Sequence, residues 1–80
     1  GFIPAYFDML LPVWESRTYQ IANYLITGLY PAVLASAELR DATSAWLQAN
    51  ADAPAALRRL VNENLAVVER ALRVQERDAN

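Results

Sequence analysis

Asp8 and Glu15 lie seven residues apart, about two turns of a helix, so their carboxylates can share a face and in principle act as general acid and general base. The plainer reading, and the favoured one, is two solvated or salt-bridged side chains. With no His and no Cys in the chain, the common nucleophilic triads, imidazole bases and zinc sites are excluded. The only two glycines are Gly1 and Gly28, so there is no Gly-rich loop to cradle a phosphate. No catalytic, cofactor-binding or metal-ligating residue is assigned, and these 80 residues are expected to do no catalytic chemistry alone.

Three other groups invite a binding role. The aromatic side chains of Tyr6, Phe7, Trp14, Tyr19, Tyr24, Tyr30 and Trp46 could line a ligand pocket, but their helical spacing makes core packing the simpler account. Ser16, Gln20, Asn23 and Thr27 recur at spacings of four, three and four. They form an uncharged polar stripe that either joins helix to helix or faces a water-filled groove, and the first is favoured. Asn64 falls in phase with Leu60, Val61 and Val68 on an apolar side. A buried amide demands partners, so a bond to a neighbouring helix that fixes register is expected rather than contact with a ligand.

The elements that hold these groups must be helical and must borrow cover from elsewhere. A chain of 80 residues buries only about 60% of its unfolded surface, and a core of that size rarely leaves more than about 3 to 5 kcal/mol net. Disulfides and structural zinc are unavailable, so packing has to supply the stability. Nine acids stand against seven bases, all of them Arg, a balance that gives no field for nucleic acid or for an anionic membrane. Lack of Cys fits a reducing compartment, and cytoplasm is the expectation. Gly1-Phe2-Ile3 has neither an initiator Met nor a basic n-region. It does not read as a signal peptide, and the chain is expected to start inside a larger fold.

Apolar periodicity predicts an all-α chain with helices over about 2–11, 12–30, 37–49 and 54–76. Pro12, which lacks the amide that a helix interior needs, is expected to kink the chain or open the next helix. The second run is apolar almost all round, as in a buried helix, and stops at Gly28 and Pro31. Ser36 is a good N-cap, and Glu38 sits in the first turn where the helix dipole favours an anion. Leu39, Ala42, Trp46 and Leu47 make the third stripe. Asn50 to Pro54 reads as a short connection with a left-handed exit at Asn50, implying an antiparallel hairpin. The last run carries Leu57, Leu60, Val61, Leu65, Val68, Ala71 and Leu72 on one side, with pairs such as Glu69 and Arg73 marking solvent on the other. Thr18 to Ala37 is uncharged over 20 residues, but its polar content and mid-run Pro31 argue against a membrane span.

Three stretches together give the chain a family likeness. Tyr6-Phe7 through Leu11-Pro12-Val13-Trp14 with Arg17, then Gly28-Leu29-Tyr30-Pro31, then Leu57-Arg58-Arg59-Leu60 leading to Val68-Glu69-Arg70-Ala71-Leu72-Arg73, resemble the C-terminal end of zinc aminopeptidases of the aminopeptidase N type, in the actinobacterial-like branch. None is a catalytic motif. The resemblance implies a parent enzyme that removes N-terminal residues from peptides with a zinc site of the H-E-x-x-H kind, which this chain does not carry. It also implies a C-terminal domain built as a curved, HEAT-like α-solenoid that encloses a chamber, these residues being its last helices. A solenoid end needs the preceding repeat to cover its inner face and a polar outer face for solubility. The greasy first 34 residues and the charged side of the last run suit those two needs. The implied partners are the upstream catalytic and helical domains, with peptide substrate met only indirectly, and the isolated chain is expected to self-associate through its first two helices. The competing expectation is a stand-alone helical module whose apolar half docks another protein.

Overall fold

The computed structural model describes residues 2–16 and 35–79, which form three α-helices and no strand. They are α1 (Phe2–Glu15), α2 (Ala37–Ala49) and α3 (Ala55–Ala79). Most of the helix expected over 12–30, including Tyr19, Gln20, Asn23, Tyr24, Thr27 and Tyr30, lies outside the described residues.

Helix α1 runs through Pro12 to Glu15, which corrects the expectation that the first helix ends at residue 11 and that Pro12 opens the second. Proline in a helix interior removes the bond to the carbonyl four residues back, here that of Asp8. Asp8 and Pro12 are both exposed, so water can serve the orphaned carbonyl. Packing on both sides of the interruption holds the helix together: Leu10 is buried before it, and Val13 and Trp14 lie against the core after it. Pro4 is harmless in the first turn, where amides have no intrahelical acceptor. Ser16 closes the helix, its hydroxyl donating to the Val13 carbonyl at 2.7 Å.

Helix α2 begins where Ser36 accepts a hydrogen bond from the Leu39 amide at 3.0 Å, with Glu38 in the first turn. Such a cap is worth about 1 kcal/mol. Its exit is not left-handed: Asn50 sits at φ −121°, ψ 49°, and no described residue has a positive φ. Asn50 ends the helix with its amides instead, since its backbone N–H and its Nδ2 both donate to the Trp46 carbonyl at 2.9 Å. The connection tightens through a bond from the Ala53 amide to the Asn50 carbonyl at 3.1 Å, and the Pro54 carbonyl accepts the first helical bond of α3 from the Arg58 amide.

Helices α1 and α3 both pack against α2. The core gathers Tyr6 and Leu10 from α1, Trp46 from α2, and Leu57 and Val61 from α3. Buried positions on α3 fall at Leu57, Val61, Asn64 and Val68, spacings of four, three and four that define one face. Thr43, which the apolar pattern of α2 passed over, is also buried. It tolerates burial because its hydroxyl donates to the Leu39 carbonyl at 2.6 Å. Glu69 and Arg73 are exposed and form no ion pair. Among the described residues the only ion pair joins the neighbours Arg40 and Asp41 at 3.0 Å. In water, long side chains gain too little from such pairs to hold one geometry.

Candidate functional site

The two carboxylates with the best claim to chemistry are not brought together. Asp8 lines an open groove between α1 and α2 together with Glu38, whereas Glu15 lines a neighbouring recess with Asp52 and Pro54. Both side chains are exposed. Acid–base catalysis by a carboxylate pair needs both groups within reach of one substrate, and these two line different recesses.

Asn64 is placed where helical phase put it, 7% exposed at the junction of all three helices. It lines a recess of about 10 Å³ with Tyr6, Phe7, Leu39 and Thr43 among its neighbours. That volume is about one water molecule and no larger ligand. The expected register bond is absent, because the Asn64 amide makes no hydrogen bond to another helix among the described residues. No described buried polar side-chain atom is both sealed from solvent and unpartnered, so the amide keeps access to its recess.

The described aromatic residues do what core residues do. Tyr6 and Trp46 are buried, Phe7 and Trp14 half-buried, and Tyr6 meets Phe7 edge to face with ring centroids 4.9 Å apart, an arrangement worth about 0.5 to 1.5 kcal/mol beyond burial. Of the polar stripe, only Ser16 lies within the described residues, and it terminates α1.

The polar residue with the most evident task is one to which the sequence pattern assigned none. Arg58, in the first turn of α3, donates from one guanidinium nitrogen to the Leu47 carbonyl at 2.7 Å and the Asn50 carbonyl at 2.9 Å. These carbonyls belong to the end of α2, which has unsatisfied acceptors and the negative pole of the helix dipole. A charged donor bridging both fastens the start of α3 to the end of α2. Arg58→Ala is expected to cost roughly 2 to 3 kcal/mol, and Arg58→Lys to recover part of the loss, as read by urea denaturation. A loss under about 0.5 kcal/mol would mean that water replaces the guanidinium freely.

Over 79 residues the chain is 51% identical to an aminopeptidase N of Streptomyces lividans, a match that takes in 99% of this chain and 9% of that protein's length. The chain is similar to the C-terminal portion of an aminopeptidase N. The resemblance to the C-terminal end of an aminopeptidase N is thereby shown for the chain as a whole. No family model and no solved structure matches. Two of the stretches can be placed: the aminopeptidase N-like Tyr6 to Trp14 run is most of α1, and Leu57 to Arg73 is most of α3. They supply core residues and the Arg58 clasp. Gly28 to Pro31 lies outside the described residues.

Zinc, which an aminopeptidase of this kind implies, does not fit these residues. The chain offers no His and no Cys, and no three metal-ligating side chains converge among the described residues. No described helix is long and apolar enough to cross a membrane.

Proposed function

We propose that this chain is the closing helical segment of a cytoplasmic zinc aminopeptidase, ending a HEAT-like array that encloses the substrate chamber and limits which peptides enter. The identity to aminopeptidase N along nearly the whole chain supports this reading. Hydrolysis of the N-terminal peptide bond, with zinc polarising the carbonyl and activating water, belongs to residues elsewhere in the longer protein. The helices here act by shape. Upstream helices cover their apolar sides, and the isolated chain, deprived of that cover, self-associates.

The test compares the longer protein with a version lacking these 80 residues, on aminoacyl amides and on peptides of graded length. Removal is expected to leave small amides as substrates while changing the dependence of kcat/KM on peptide length. An unchanged length profile would defeat the gating role, and a longer protein without aminopeptidase activity would defeat the whole reading. Asp8→Asn combined with Glu15→Gln is expected to leave kcat within about twofold, because neither carboxylate sits where acid–base chemistry could occur. A loss of more than about 100-fold, the scale of a missing general acid or base, would restore them as catalytic candidates.

A further inference from the structure

We propose that the furrow between α1 and α2 receives a helix from elsewhere in the longer chain, one that presents a large apolar side chain with Arg or Lys within a turn of it. This rests on the proposed reading that the 80 residues belong to a longer aminopeptidase. The groove measures about 360 Å³ and is floored by Ile3, Phe7 and Trp46, with Ala42, Ala45 and Ala49 along the α2 side. Those three alanines fall on one helical face, where the absence of bulk lets a second helix axis come close. The adjoining recess, about 370 Å³, shares Ala49 and Asn50 with the groove, so the two are neighbours along the same helix pair.

Among the described residues its charge is one-sided. Asp8, Glu15, Glu38 and Asp52 are the charged ones lining the two recesses, and no described base lines either. Composition does not explain this, because the chain as a whole is close to balance, nine acids to seven bases. Of the described bases, Arg40 pairs with Asp41 and Arg58 clasps α2, while Arg59, Arg70, Arg73 and Arg77 are exposed on α3. An apolar floor bordered by carboxylates selects an apolar side chain flanked by cations, and repels an acidic one. There is ample chain to supply it: the 79 matched residues make up 9% of the aminopeptidase N relative.

The experiment places a photo-cross-linking amino acid at Ala45, an exposed groove position, in the purified full-length protein, with mass spectrometry of the product. The expected product joins Ala45 to a segment of the same chain outside residues 1–80 that carries Arg or Lys within four positions of the attachment. Asp8→Arg with Glu38→Arg is expected to lower its yield about thirtyfold, as losing two rim pairs at the upper end of their usual strength would. Glu69→Arg, at an exposed position of α3 that lines neither recess, serves as the control and should not change it. Circular dichroism and retained activity on aminoacyl amides establish that the variants are folded.

A cross-link to a segment without bases, to residues 17–34, or no cross-link at all, overturns the inference while aminopeptidase activity keeps the proposed function intact. A cross-link to a second copy, seen with mixed isotope-labelled chains, also overturns it. The exposed Arg70, Arg73, Val74 and Arg77 face of α3 would then be the fitting occupant. Absence of aminopeptidase activity in the full-length protein would instead remove the reading on which the inference rests.

Discussion

Trp46→Ala is expected to destabilise the helical unit by about 3 to 5 kcal/mol, the range for deleting a large buried aromatic side chain. Trp46 is 7% exposed and packs in a cluster with Tyr6 and Leu10 from α1 and Leu57 and Val61 from α3. Removing it uncouples both partners of α2 at once. A core of this size leaves only about 3 to 5 kcal/mol net, so the expected loss equals the whole margin, and the alanine variant of the isolated chain should not complete folding. Trp46→Phe keeps most of the volume and should retain a cooperative transition, with a loss below that of the alanine variant. Urea denaturation followed by circular dichroism reads both. If alanine and phenylalanine variants cost the same small amount, under about 1 kcal/mol, Trp46 would not be the centre of the core.

Trp46 was also legible from sequence, and the reason is physical. Its burial follows from helical phase with Leu39, a relation within one element. The all-helical class, the Ser36 cap and the burial of Asn64 are local or periodic in the same way. What escaped the sequence depends on other elements. Arg58 is eight and eleven residues from its acceptors, and nothing in the spacing of an arginine on a charged helix face announces that a carbonyl terminus will stand opposite. Pro12 carries a local signal to stop, but tertiary packing of Leu10 on one side and Trp14 on the other overrides it. Thr43 falls outside an apolar pattern, yet a hydroxyl can return its proton to the preceding turn and be buried at little cost. Asn64 shows the converse: burial was foreseeable from phase, whereas the missing interhelical partner depended on what stood across the junction.

Leu57 allows the two findings about α3 to be separated. At 0% exposure it is fully buried in the described fold, and Leu57→Ala is expected to cost about 2 to 5 kcal/mol, increasing with the cavity left unfilled. Val74→Ala, at a position 46% exposed, is expected to change stability by less than about 0.5 kcal/mol, which sets the scale for a residue outside the core. Leu57 is adjacent to Arg58, yet the two act on α2 differently: one by filling the core beside Trp46, the other by holding the carbonyls of Leu47 and Asn50. A double-mutant cycle between Leu57→Val and Trp46→Phe, milder substitutions that leave the double variant within the folding margin, should therefore show coupling of about 0.5 kcal/mol or more, as for residues sharing a cluster. If the clasp were merely carried by the same packing, Arg58→Ala would cost nothing further once Leu57 is truncated. Independent anchoring predicts that its cost persists within about 0.5 kcal/mol in both backgrounds, because a charged donor at a helix end draws its strength from the carbonyls it meets rather than from the apolar side chains beside it.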